Sequence, residues 1–306
     1  MDDLFQAILV MMSLSLAVGI LSAVLVGPSK VGPGDLGPGD LDPGKKMAST
    51  RQGQGVVLML TIVVTCMFAF LFYSAGRLYW AKWIDDSAVI VWSNFTPLLA
   101  AIAAGIVYRL PNTPHWRQSL LAMSLGFASL ATVLWPFVGV WLRPPPEGGD
   151  EVFRGITLQT SWATCSPCAA ATFLRAGGIE ASEKELIPLC LTDESGTPTL
   201  GLFRGVKWMA NRHHRDVQAL TLSLDQLESE NIWPVLIMVE LPISGVDDPR
   251  YADQWGWVPG LGHSVVLLGK NSRGGFVVAD PAVGAEIWTR ADLEVLWHGN
   301  AIRFSE

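Results

Sequence analysis

Gln159-Thr-Ser-Trp-Ala-Thr-Cys165-Ser-Pro-Cys-Ala-Ala170 is the stretch on which the reading of this chain turns. Proline suits the first position of a helix, so Ser166-Pro167 predicts a helix over Ser166–Ala176, stopped by Gly177-Gly178. Cys165 then stands at the positive end of that helix, where a thiol is favoured as thiolate and gains nucleophilicity. Gln159, six residues upstream, is placed to return its side-chain amide to the same spot as a donor to an oxyanion. A cysteine at a helix start is more often a small buried apolar residue, so the argument needs partners elsewhere in the chain.

Further helices are expected near 182–190 and 200–212, and strands at Pro234–Glu240, Ser264–Gly269 and Gly275–Ala279. Helices first and antiparallel strands later indicate an α+β domain. His263 sits at the mouth of one strand and Asp280 ends the next, with Asn271-Ser-Arg-Gly274 as a hairpin loop between them. If Lys270 pairs with Gly275, Val265 opposes Asp280 and His263 lies two residues along. A carboxylate then meets an imidazole on the sheet, as is needed to orient the ring and stabilise its charged form. Taken singly, His263 reads as a strand-end histidine, Asp280-Pro281 as a turn and Gln159 as nothing in particular. The order and context of all four point to nucleophilic acyl transfer by Cys165.

The remainder of the 306 residues has a different character. Half of the chain is hydrophobic and only 16% is charged, against about 25% in a typical soluble protein. Four uncharged stretches, 4–26, 56–76, 87–108 and 120–142, are each long enough to cross a hydrocarbon core of about 30 Å. Tyr73, Tyr79, Trp80, Trp83, Trp116 and Trp141 stand at their ends, where interfacial aromatics belong. The first stretch follows an acidic Met1-Asp2-Asp3 and shows no clear cleavage site, so an uncleaved span is favoured over a signal peptide. Residues 1–143 are expected to be a four-helix transmembrane region that brings a lipid bilayer in as partner.

Lys and Arg set the orientation. Loops 27–55 and 109–119 hold six; the opposite side, with the N-tail, the loop around Arg77 and Lys82, and the start of the C-terminal segment, holds four. The count leans toward an extracytoplasmic C-terminal domain. Gly-Pro-Gly-Asp-Leu occurs at 32–36 and 37–41, which reads as a turn-rich linker over 27–55, and Arg143-Pro-Pro-Pro-Glu-Gly-Gly-Asp150 reads as a second linker, flexible at its end. Net charge is +2 over residues 1–143 and −9 over 144–306. The acidic half excludes nucleic acid as a natural partner.

From 152 to 306 the sequence resembles the C39 peptidases, papain-like cysteine peptidases that commonly form the N-terminal domain of bacteriocin-exporting ABC transporters. Gln159 to Ala170 is similar to that family's Gln, five residues, Cys-Gly-Pro-Ala-Ala. Leu189-Cys-Leu-Thr-Asp-Glu-Ser-Gly-Thr197, Leu200-Gly-Leu202, Gly262-His-Ser-Val-Val-Leu-Leu-Gly269 and Val278-Ala-Asp-Pro-Ala-Val-Gly284 follow in the family's order. The resemblance implies that Cys165 attacks the scissile carbonyl, that His263 is base and then acid, that Asp280 orients His263, and that Gln159 with the backbone near Cys165 stabilises the oxyanion. It also implies a peptide substrate, with a double-glycine leader peptide as the candidate, and no cofactor.

Ser166 stands where the family usually has Gly, Cys168 where it has a small residue, and about twenty residues with Trp255 and Trp257 intervene before His263. That insertion is either a lid or substrate wall, or an ordinary loop docking its aromatics. No Walker motif occurs in the chain, so any transporter partner with an ATPase is a separate protein. Two alternatives remain open: a membrane thiol-disulfide oxidoreductase using Cys165 and Cys168, and a catalytically inactive peptide-binding module. Whether Cys168 pairs with Cys165 or with Cys190 is open as well. Cys190, His213 and His214 lack a second ligand pair at recognised spacing, so a zinc site is not expected. Cys66 reads as a packing residue of the second span.

Overall fold

The structure, a computed structural model, describes residues 2–26, 43–111 and 113–305. They fall into two compact units, one of residues 1–75 and 91–135, the other of 76–90 and 136–306. Five helices come first: α1 (Asp2–Leu25), α2 (Pro43–Tyr73), the single turn α3 (Val89–Trp92), α4 (Thr96–Val107) and α5 (His115–Leu142). Asp2–Leu25, Gly53–Tyr73, Val89–Val107 and His115–Leu142 are long and apolar enough to cross a membrane. Leu16, Phe72 and Phe127 are two-thirds or more exposed, and such outward apolar faces suit lipid better than water.

Two expectations change here. The linker expected over 27–55 ends by residue 43, because Pro43 starts a helix that Lys45, Lys46, Met47, Ala48 and Arg51 propagate well; residues 27–42, with both Gly-Pro-Gly repeats, lie outside the described residues. The third apolar stretch is not one helix. It breaks at Ser93-Asn94-Phe95, since Pro97 has no N–H to continue a preceding helix. The Asn94 side chain accepts from the Thr96 N–H at 3.2 Å and donates to the Thr132 carbonyl at 3.2 Å, taking up polar groups at the break. In the same unit α4 packs against α1 and α2. A Cβ on Gly105 of α4 would lie 1.9 Å from Ser22 Oγ of α1, so only glycine permits that approach.

The second unit is α+β. A short hairpin, β1 (Val152–Phe153) and β2 (Ile156–Thr157), leads through a tight turn at Trp162–Thr164 into α6 (Cys165–Ala176). Then follow α7 (Glu183–Leu189), α8 (Thr199–Arg212), β3 (Val217–Thr221), α9 (Leu224–Glu230), β4 (Val235–Glu240), β5 (Gly262–Lys270), β6 (Phe276–Asp280), β7 (Gly284–Trp288), α10 (Arg290–Leu296) and β8 (Trp297–Phe304). Six strands form one antiparallel sheet in the order β3-β8-β4-β5-β6-β7. Alternation sorts its side chains. Leu236, Val266, Ala279 and Ile302 join Phe173 and Phe203 in one core, while Val235, Ile237, Val265, Leu267 and Val278 join Trp288, Leu293 and Leu296 in another.

Segment 76–90 belongs to this unit and not to the membrane region in which the sequence placed it. Leu78, Ala81 and Val89 are buried in the α6–α8 core. Asp85 reaches the buried ammonium of Lys207 at 2.5 Å, and Asp216 pairs with the same group. The linker before residue 152 is docked as well: Arg143 pairs with Asp193 at 2.6 Å, and the Gly149 N–H donates to Glu183 at 2.6 Å.

Candidate active site

Ser161 starts the approach turn with a reciprocal cap: its hydroxyl accepts from the Ala163 N–H while Thr164 Oγ1 accepts from the Ser161 N–H. α6 then begins at Cys165 itself, one residue earlier than the proline signal predicts. Across from it, β5 carries His263 as its second residue, opposite Val239. Val266 faces Ala279 and Leu267 faces Val278, the register expected near the site; beyond a bulge at Leu268 the pairing slips, so Lys270 meets Phe276 and not Gly275. His263 Nε2 lies 2.9 Å from Asp280 Oδ1, which also accepts from the Ala282 N–H at 2.7 Å. A carboxylate offers only acceptors, so Nε2 carries the proton and Nδ1 is left for the thiol.

Burial resists ionisation of Cys165. Hydrogen bonding to His263 and the imidazolium charge outweigh it, helped by Ser166 and the Ser264 backbone, and the thiol lies below its ordinary value. Burial likewise disfavours charge on His263, but hydrogen bonds to Asp280 and Cys165, and their charges, raise it to about 10. Thiolate and imidazolium therefore stabilise one another, the charge state of an activated cysteine nucleophile.

Cys165, His263, Asp280 and Gln159 line one cleft of about 620 Å³. The Gln159 N–H donates to the Pro281 carbonyl at 2.9 Å, tying the approach strand to the turn after Asp280. Its side-chain Oε1 is buried without a hydrogen-bond partner. Thr160, the next residue, donates through N–H and hydroxyl to the fully buried carboxylate of Glu183 at 3.0 and 2.9 Å.

The insertion between β4 and β5 both docks its aromatics and walls the cleft. Tyr251 is buried and, with Arg250, donates to Asp292, which Thr289 caps from the other side. Trp255 stacks on Trp288 with centroids 6.2 Å apart, and Trp257 stands edge-on to the His263 ring at 5.5 Å. Trp255, Trp257, Val258 and Leu261 line the cleft. Glu286 of β7 joins them; burial and the Asp280 charge raise its carboxyl above the ordinary value.

The other cysteines have separate roles. Cys168 is fully buried, and burial together with the nearby Glu183 carboxylate pushes its thiol far up, so it stays protonated. Cys190 fills a notch in α8, where a Cβ on Gly205 would meet its Sγ at 2.3 Å, and burial raises its thiol to about 12. All four cysteines are free. Among the described residues no cluster of His, Cys, Asp and Glu could hold a metal ion. Neither Glu183 nor the Ser166–Ser264 contact has a local sequence signal, since both join residues far apart in the chain.

No protein-family model matches the chain. An uncharacterized protein of Methanothermobacter marburgensis is 30% identical over 154 residues, half of this chain and 88% of its own length. One from Methanothermobacter thermautotrophicus is 42% identical over 154 residues, again half of this chain and 88% of its own length. The chain belongs to the same family as these two proteins. Solved structures similar to it include the peptidase domain of Streptococcus ComA, a bi-functional ABC transporter, at 18% identity and a TM-score of 0.38, covering 49% of this chain and 96% of that one. A double glycine motif protease of an AMS/PCAT transporter, solved with its leader peptide, is 16% identical with a TM-score of 0.38, covering 53% and 96%.

Proposed function

We propose that the chain is a membrane-anchored cysteine peptidase that cuts a peptide bond, with a double-glycine leader peptide as its first candidate substrate. The observation that carries this reading is the Cys165–His263–Asp280 constellation in one cleft, with the thiol lowered and the imidazole raised. The Cys165 thiolate attacks the scissile carbonyl carbon, and the resulting oxyanion is met by the Gln159 amide and the backbone near Cys165. The His263 imidazolium gives its proton to the leaving amine as the C–N bond breaks. Neutral His263 then takes a proton from water, whose oxygen attacks the thioester; the acid leaves and the thiolate–imidazolium pair is restored. Asp280 holds the ring and stabilises its charge throughout.

Two observations weigh against the oxidoreductase reading. A tight turn, not a strand, leads into Cys165, and His263 with Asp280 would have no use there. The test is cleavage of a double-glycine leader peptide by the full chain in detergent, beside Cys165→Ala and Cys168→Ala. Loss in Cys165→Ala alone is expected. Loss in both variants, together with disulfide reduction, would overturn the reading in favour of thiol exchange, and an absence of cleavage in the folded wild type would leave a peptide-binding module.

A further inference from the structure

The residues that directly follow the nucleophile and the base touch each other. Ser166 comes after Cys165 and Ser264 after His263; their hydroxyl oxygens are 2.8 Å apart although the residues are 98 positions apart in the chain. Ser166 is 8% and Ser264 2% exposed, so water does not compete for this bond. Ser166 Oγ is also 3.9 Å from Cys165 Sγ, within reach of a weak hydrogen bond to sulfur. A hydroxyl has one proton to give and two lone pairs to accept with. If Ser264 donates to Ser166, the Ser166 proton is left to point at the thiolate.

We propose that Ser166 and Ser264 form a latch that fixes the start of α6 against β5, and so sets the thiol–imidazole geometry while presenting a hydroxyl proton to the Cys165 thiolate. This rests on the peptidase reading for its purpose but not for its measurement. Ser264 is a positioning residue that acts through Ser166, whose hydroxyl touches the reacting sulfur; the bond they make is possible only because Ser166 replaces the glycine usual in the C39 peptidases that the sequence resembles. The titratable neighbours of the thiol remain in place in the variants below: His263 with Asp280 and Glu286 on the strand side, and Cys168 with Glu183 on the helix side.

The test uses the full chain in detergent, carrying Cys66→Ser so that the exposed cysteine of α2 does not react. The rate of iodoacetamide alkylation at Cys165 is followed by mass spectrometry from pH 4 to 10 in Ser166→Ala, Ser264→Ala, the double variant and Ser264→Thr. Either single alanine is expected to move the alkylation midpoint up by roughly one pH unit, because a donor or its orienting partner is lost. The double variant should shift no further than a single one, as members of one bonded pair do. Ser264→Thr, which keeps the hydroxyl and suits a strand, should restore the wild-type midpoint. Leader-peptide cleavage at neutral pH should fall about tenfold in kcat with KM unchanged, because less of the enzyme holds the reactive thiolate–imidazolium pair while the contacts that bind peptide stay in place. An unmoved midpoint in both single variants, or additive shifts, overturns the latch. A shifted midpoint in a chain that cleaves no peptide keeps the latch and removes the peptidase.

Discussion

Separating residues 144–306 from segment 76–90 should leave a poorly folded domain, because that segment completes the core and is not a tether. Leu78 and Ala81 are 2% exposed and Val89 is fully buried, all in the cluster that holds Phe203 and Val217. Burying a Leu or Val is worth about 1.5–3 kcal/mol each and an Ala less, so the segment contributes about 4–6 kcal/mol. Asp85 adds little, since its side chain is 61% exposed and Lys207 keeps Asp216 and the Val217 carbonyl. Against a total of about 5–15 kcal/mol for a folded domain, this is a large share. At about 2–4 °C per kcal/mol for a domain of this size, the isolated fragment should melt about 10–20 °C lower than a chain in which 76–90 is joined to 144 by a long Gly-Ser linker. Near-UV circular dichroism during heating, with hydrogen exchange at β3 and α8 at 25 °C, reads the difference. A fragment that melts within about 3 °C of the linked chain, with β3 and α8 equally protected, would refute the reasoning.

The pH profile of kcat/KM should rise in acid as the lowered thiol ionises and fall as His263 loses its proton near pH 10. His263 is raised in the folded state, so its stabilising contribution is fully present below its ordinary 6.5 and lost as pH climbs through about 10. Asp280→Asn removes the charge that holds up the imidazolium, so the alkaline limb should move toward neutrality and kcat fall about a hundredfold or more; stopped assays across pH 5 to 10 measure both. Asp292→Ala leaves the buried Tyr251 hydroxyl without its acceptor and Arg250 with Asp248 alone, which should cost about 1–3 kcal/mol through the tyrosine and speed proteolysis within 241–261. Deleting 244–258 from a folded chain should raise KM if the insertion walls the cleft, and unchanged turnover would discard that role. Cysteines placed at Trp83 and Glu147 should be labelled by a membrane-impermeant reagent from the same side, and one placed at Gly53 from the other.

The sequence was most legible where one local signal was enough. Pro167 and Gly177-Gly178 bracket α6, and the runs Val235–Val239 and Phe276–Ala279 carry unbroken apolar character, so each element lies within about a residue of its reading. The register near Asp280 was also readable, because a single hairpin loop fixes it, although the bulge at Leu268 shifts its outer half. What went unread depends on distant partners. β8, for which no strand was expected, contains Gly299 and Asn300, yet it lies between β3 and β4 and is held by pairing on both sides. β7 is a short strand with exposed Ala285 and Ile287, too brief to show a pattern. Leu78 fell in the loop between two spans and Val89 in the third span, because nothing local distinguishes a loop or lipid-facing side chain from one docked on a domain 60 residues on. A bond between two serine hydroxyls leaves no trace in composition or spacing.

The docking of segment 76–90 also constrains how a membrane-anchored chain can thread the bilayer. That segment and residues 144–306 form one core, so the chain between them must leave and return to the same side. α5 runs 28 residues, about 42 Å at 1.5 Å per residue, which spans a core of about 30 Å with room for tilt. In a membrane-anchored chain a single crossing by α5 would leave the two segments on opposite sides, so Val89–Val107 would have to cross as well. Its longest piece, α4, has 12 residues and reaches only about 18 Å alone, so the break at 93–95 has to lie within the membrane or at its edge. Irregular backbone is tolerated there only when its polar groups find partners inside the protein. Asn94 supplies them, accepting from Thr96 below the break and donating to the Thr132 carbonyl of α5. The residue that interrupts the third apolar stretch thus bonds it to α5, the helix that would make the return crossing in a membrane-anchored chain.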